Sequence, residues 1–511
     1  MEKTTNKTIA KNTIFLYFRM ALVTVVGLYT SRVVLQYLGV DDFGIYNIAG
    51  SVVALFSFLT GALGNSSSRF ITVEIGKVKD GDNSHLVDCF KTTRTIHALL
   101  ATGIFLIAET IGLWILYTQC NIPADRMTTA MWVYQISVAT SMLNVTQIPF
   151  TALIIAHERM GIYAYVSIFE VIAKLLICYL LIVSPMDKLI FYAALLFGVQ
   201  ILTLSYYRLY CKRMFDECKM GYTISKEFFR PLMSFSFWNL FGSLSYSALT
   251  QGTTIIISMF FTPAVVTARA VANQVKNHVI NFVTNFRMAI NPQILKRHSA
   301  GDKESSKELL FLSCNISFYL MLVMVLPLMF EARFVLELWL HEVPDYTVEF
   351  LQIVLLEMLF YVYDVTFYQI FQAEGRLKEN AIICPLMDFV VLSIIYFIYQ
   401  SGGNVLWIAW GMLFLTIMQG MVVKPILAIR MFGYSWGEFV KVFKNNVIVF
   451  VTSAIIPFVI VYTTNIDDDV IPNLSIIILC VFTVCIASYL FGLSKKDRER
   501  VNKLISNRIK K

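Results

Sequence analysis

The chain is 511 residues long, 57% hydrophobic, 14% aromatic and only 15% charged, with a formal net charge of +8. Soluble domains carry about 45–50% apolar and about 25% charged residues, so this composition excludes a soluble globular protein, a disordered chain and a soluble enzyme held by a single anchor. An all-α polytopic membrane protein remains.

Apolar runs of about 20 residues span a hydrocarbon core. They fall near 13–37, 45–67, 95–118, 128–152, 162–183, 189–207, 232–259, 265–291, 309–331, 347–372, 380–400, 404–423, 446–464 and 473–493. About fourteen transmembrane helices are therefore expected, or twelve if 404–423 or 473–493 is re-entrant. The runs are continuous, without the alternation of β-barrel strands, so the outline is helical. No small-residue cleavage site follows the first run, which is expected to be retained.

The charges orient this outline. With the N-terminus inside, the inside stretches hold 33 of the 42 Lys and Arg residues, and the outside loops hold only Arg126, Lys188 and Arg333. That bias fits the positive-inside rule and places both termini in the cytoplasm. The basic tail from Ser494 suits anionic headgroups or plain anchoring. Because the excess is topological, it points to membrane lipids and to no nucleic-acid partner. No outside loop is long enough to house a catalytic or receptor domain.

Residues 38–77 align with 261–300 at a constant offset of 223, without a gap. Identity is low, but both stretches run from a short outside turn through a polar span into a basic inside loop. The offset exceeds six spans and preserves orientation. The expected organisation is thus two parallel six-helix halves, 1–207 and 232–423, joined by a cytoplasmic linker at 208–231. Residues 424–511 add helices 13 and 14 and the basic tail. Repeats of this kind are a transporter architecture with the substrate between the halves.

Six cations are left within the predicted spans: Arg19, Arg32, Lys174, Arg269, Lys276 and Arg287. Each costs about 2.5–3.5 kcal/mol at a helix centre, so such groups normally face a wet or paired interior. Arg269, Lys276 and Arg287 are 7 and 11 residues apart, near-whole turns, and form one stripe about 27 Å long. Asn273 lies about 40° from it. A cationic ladder of this kind suits an anionic head group such as a phosphate; interhelical ion pairs are the alternative. Arg19 and Arg32 do not share a face. Span 7, rich in Ser and Thr, is expected to line a wet cavity, with close small-residue packing as the alternative.

The intramembrane acids Glu357, Asp364 and Asp388 either couple transport to H⁺ or Na⁺ or neutralise those cations. Glu170 and Lys174 have the i,i+4 spacing of a structural ion pair. No P-loop, C-x-x-C, H-E-x-x-H or G-x-S-x-G occurs. Neither a catalytic residue, a metal site nor a bound cofactor is expected, and the chain reads as a transporter rather than an enzyme.

The early segment "RVVLQYLGVDDFGIYNIAG" resembles the Wzx-type oligosaccharide flippases of the MOP superfamily, in which an arginine is followed by L-G and then F-G-x-Y. Here these are Arg32, Leu38, Gly39, Phe43, Gly44 and Tyr46. The second half departs from the pattern, with "TPAVVTARA" at the corresponding turn. The resemblance implies a MATE-like helical transporter that flips undecaprenyl-pyrophosphate-linked oligosaccharide across the bacterial inner membrane by alternating access, for O-antigen, capsule or exopolysaccharide. By position it implies cavity cations at Arg19, Arg32, Arg269 and Lys276, and polymerase or chain-length machinery as partners. A MATE-like drug exporter is the same-fold alternative, and a polysaccharide polymerase or ligase the less fitting one.

Overall fold

The computed structural model describes residues 23–77, 82–157, 159, 161–218, 221–463, 470–493 and 498. Among these the chain is helical, with no strand. The helices are α1 Val23–Leu38, α2 Val40–Ala54, α3 Ser57–Lys77, α4 Ser84–Thr118, α5 Met127–Ala156, α6 Gly161–Val183, α7 Lys188–Met214, α8 Lys226–Phe260 and α9 Pro263–Ser299. There follow α10 Lys303–Phe330, the short α11 Ala332–Trp339, α12 Thr347–Ala373, α13 Lys378–Gln400, α14 Trp407–Phe432, α15 Trp436–Thr463 and α16 Val470–Gly492.

Ten of the described helices are long and apolar enough to cross a membrane, or eleven if the bent pair α1–α2 counts as one span. Fourteen were expected from sequence. The difference lies in α3, α8 and α9, which have 21, 35 and 37 residues but too much polar sequence to meet the same apolar criterion. Polar helices of that length need a polar lining or a protein partner.

Two compact units divide the chain, Met1–Thr267 and Ala268–Lys511. In the first, α5 packs on α2, α3, α4 and α7, and α8 packs on α2 and α3. The L-G and F-G-x-Y residues have distinct physical jobs here. Gly39, at φ +84°, forms the 114° corner between α1 and α2, a positive-φ position that glycine occupies without steric cost. At Gly44 a Cβ would stand 2.0 Å from the Pro263 carbonyl oxygen, so the backbones meet there. One turn away, Thr267 Oγ1 donates to the Val40 carbonyl at 2.6 Å.

These contacts are reciprocal in the repeat register, because Pro263 and Thr267 stand 223 residues after Val40 and Gly44. The helix starts obey the same offset: α2 begins at Val40 and α9 at Pro263. The repeats differ at Leu55–Phe56, where the first is broken between α2 and α3 while α9 runs on. Ser247 of α8 caps that break, donating to the carbonyls of Ala54 and Leu55 at 3.2 and 2.8 Å. Ser245, Ser247, Thr253 and Ser258 are all buried. These buried small hydroxyl residues let neighbouring helices approach α8 closely.

Two polar clamps hold the helix ends of this unit. Arg126 binds Asp42 through both its Nε and its Nη2, and Asp187 through Nη1 at 2.8 Å. Asp187 also caps α7, accepting from the Leu189 and Ile190 N–H groups. At the other clamp, Arg94 donates to the Gly221 carbonyl and Thr95 to that of Thr223, strapping the 221–225 stretch to α4. Arg94 is 9% exposed, so this predicted loop cation is buried.

In the second unit, α10 is the central helix, contacting α12, α15 and α16. Edge-to-face rings knit this core: Phe367 packs on Phe439 with centroids 4.9 Å apart, and Tyr363 on Phe443 at 4.9 Å.

Candidate functional site

The site lies in the second unit, where α9 and α14 carry cations and α12 and α13 carry carboxylates. The stripe begins with Arg269, 8% exposed, with Glu357 and Tyr399 in electrostatic reach. Asn273, one turn on, is half-buried. Lys276 Nζ then donates to Glu357 Oε1 at 2.9 Å, and Thr416 Oγ1 of α14 approaches the same oxygen at 3.3 Å. At the far end Arg287, 6% exposed, donates to the Val365 carbonyl of α12 at 2.7 Å, while its Nε has no partner.

The acids follow the same logic. Glu357 and Asp364 are seven residues apart, two turns of α12, and so share a face. Asp364 is paired with Lys424 at 2.5 Å, and the Lys424 ammonium also donates to the Asp364 carbonyl at 2.9 Å. Asp388 of α13, 9% exposed, accepts from Gln419 at 2.7 Å.

Lys424 and Gln419 are the residues that sequence reasoning missed. By position Lys424 is one of the 33 inside cations, yet it is 4% exposed. The available signal was the apolar run that continues beyond it, "MVVKPILAIRMF", into the end of α14. Helix α14 contains a π turn at Met418–Val423, immediately before Lys424. Such a turn admits an extra residue and re-aims neighbouring side chains. Here it places Gln419 toward α13 and Lys424 toward α12. Gly420, within the turn, lies so close to Asp364 that a Cβ would stand 2.8 Å from its backbone nitrogen.

The remaining expected residues lie elsewhere. Arg32 is exposed on α1 in the first unit. Arg19 falls outside the described residues. Glu170 and Lys174 form no ion pair with each other, a correction to the expected i,i+4 bridge: Lys174 is exposed and lines a small cavity with Thr30, Ser31 and Tyr192. In the second unit four cations, Arg269, Lys276, Arg287 and Lys424, meet three carboxylates, Glu357, Asp364 and Asp388. The cluster thus keeps one positive charge in excess within low-dielectric surroundings, the condition for attracting an anion. Among the described residues no group of three or more His, Cys, Asp or Glu converges as metal ligands would.

Long apolar helices, with a charged cluster buried among those of the second unit, define a multi-pass membrane protein. The fold matches that of a lipid II flippase, MurJ, in its inward closed conformation, with a TM-score of 0.71 at 15% identity over 94% of this chain and 98% of that one. It is also similar to a MOP superfamily transporter from Pyrococcus furiosus, with a TM-score of 0.52 at 13% identity over 81% of this chain and 95% of that one. An outward-facing multidrug resistance MATE family transporter matches with a TM-score of 0.52 at 13% identity over 83% and 94%. No curated protein matches in sequence. A family model described as "Polysaccharide biosynthesis protein" matches residues 9–298, more than half of the chain. The chain belongs to this family, that of the Wzx-type flippases, and has the MOP fold.

Proposed function

We propose that the protein flips an undecaprenyl-pyrophosphate-linked oligosaccharide across the bacterial inner membrane by alternating access of its two halves, supplying surface polysaccharide such as O-antigen, capsule or exopolysaccharide. The observation that carries this reading is the cation stripe of α9, buried at Arg269 and Arg287, together with membership of the polysaccharide biosynthesis family. Arg269, Lys276 and Arg287 receive the pyrophosphate, with Arg19 or Arg32 contributing from the first span, while the lipid tail stays in the bilayer. Moving a polar head group through hydrocarbon unaided is prohibitive, so a polar cationic path is the physical requirement.

The Lys276–Glu357 pair gives that path a two-state element. Glu357 occupies the position on Lys276 that a phosphate oxygen would take. A proton on Glu357, or the arriving head group itself, releases Lys276. This makes Glu357 the first candidate for H⁺ coupling, with Asp364 and Asp388 behind it. The excess of cations over carboxylates disfavours an exporter of cationic drugs. Polysaccharide polymerase and chain-length machinery would act on the delivered substrate. The test is Arg269→Gln combined with Lys276→Gln in the producing cell. Surface polysaccharide should be lost at unchanged protein abundance, and normal polysaccharide would refute the reading.

A further inference from the structure

In the first unit, α2, α3, α5 and α7 enclose a second cavity, of about 260 Å³, and among its described lining residues none is charged. Tyr46, Gly50 and Val53 of α2 form one wall. In the repeat register these three stand 223 residues before Arg269, Asn273 and Lys276. The helix face that is cationic in the second unit is thus neutral in the first, with tyrosine in the place of Arg269 and no charge in the place of Lys276.

The lining is built for hydrogen bonding to neutral groups. Thr60, Ser137 and Thr140 donate their hydroxyl protons to helix carbonyls at 2.6, 2.8 and 2.8 Å. Their lone pairs therefore remain as acceptors toward the cavity. Ser141 and Asn144 make no hydrogen bond within the described structure, and Asn144 supplies two donors and an acceptor. The Tyr46 ring is held edge-on by Tyr192, centroids 5.3 Å apart, so the cavity also has a fixed aromatic wall. Beside it Gly50 leaves the wall flat.

We infer that this cavity is a saccharide subsite: it takes a neutral sugar ring of the lipid-linked substrate, whose hydroxyls donate to the Thr and Ser oxygens and meet the Asn144 amide, while the ring packs against Tyr46. This inference rests on the flippase reading above and adds the substrate part that the cation stripe cannot recognise.

The experiment compares two ligands on the full chain: lipid-linked oligosaccharide extracted from the producing cells, and the same lipid pyrophosphate freed of its sugar. The variants are Asn144→Ala, Tyr46→Leu and Lys276→Gln. Losing the amide hydrogen bonds and the aromatic wall should weaken binding of the intact ligand about tenfold in Asn144→Ala combined with Tyr46→Leu, and leave the sugar-free ligand unchanged. Lys276→Gln should weaken both ligands. Equal loss for both ligands in the cavity variants, or no loss for either, overturns the saccharide subsite while leaving the flippase reading intact. If the unaltered protein binds neither ligand, the flippase reading falls and the subsite with it.

Discussion

Lys276 on α9 and Glu357 on α12 are joined by a 2.9 Å hydrogen-bonded ion pair whose side chains are 20% and 5% exposed. Each residue holds the other's charge in surroundings that would otherwise penalise it. Removing one partner of such a pair leaves an uncompensated buried charge, which costs about 3–5 kcal/mol. Lys276→Met and Glu357→Gln should each lower thermal stability in detergent, and the double variant should recover much of the loss. Strictly additive losses would show that the pair is not coupled.

The two motif glycines predict a graded response. Gly44→Ala drives a methyl group into the Pro263 carbonyl, a backbone contact that cannot be relieved by a rotamer change. Gly39→Ala meets no atom within 4 Å, and its cost is the positive-φ extended backbone, φ +84° and ψ 168°, about 1–3 kcal/mol. Gly103→Ala, inside α4 with open space around it, should be neutral or slightly stabilising. The melting temperatures should therefore fall in the order Gly103→Ala, Gly39→Ala, Gly44→Ala. Equal melting of the Gly44 and Gly103 variants would disprove the close approach.

Acid stability should depend on Asp187. Burial alone would raise its carboxyl, but the Ile190 N–H, the Arg126 guanidinium and the Leu189 N–H together hold it below the ordinary aspartate value. A carboxyl depressed on folding stabilises the protein above its unfolded value, near 3.8, and that contribution is lost as pH falls through the lower folded value. Asp187→Asn should thus be less stable than the parent at pH 7 and lose less on acidification toward pH 3, measured by thermal unfolding in detergent. Parallel pH profiles would contradict this.

Coupling is tested through the carboxylates. Converting Glu357, Asp364 and Asp388 together to amides should abolish the dependence of transport on a pH or Na⁺ gradient in vesicles. Unchanged gradient dependence in that triple variant eliminates all three as the coupling site.

Much of this was legible in the sequence, and what was not has identifiable causes. Composition and run length settle the helical membrane class, and the offset of 223 that relates the two stretches also separates the starts of α2 and α9, although the apolar runs alone begin later, near 45 and 265. The spacing of Arg269, Lys276 and Arg287 shows a shared stripe because α9 continues without a break. Lys424 was hidden, since a single lysine at the edge of an apolar run looks like a loop anchor. Only the π turn at Met418–Val423 and its contact with Asp364 show that it is buried. Glu170 and Lys174 show the converse: i,i+4 spacing permits a pair but does not require one.

The central claim is that a cation on α9 carries the anionic head group. Its most direct test compares Glu357→Gln with Glu357→Gln combined with Lys276→Gln in proteoliposomes supplied with lipid-linked oligosaccharide from the producing cells. The first variant keeps the ammonium and frees it from its partner, whereas the second removes it without leaving a buried carboxylate behind. Charge-assisted hydrogen bonds of this kind are worth about tenfold or more in affinity. The account predicts that Glu357→Gln binds the substrate at least as tightly as the parent and that adding Lys276→Gln weakens binding by that factor. Equal affinity in the two variants would contradict it.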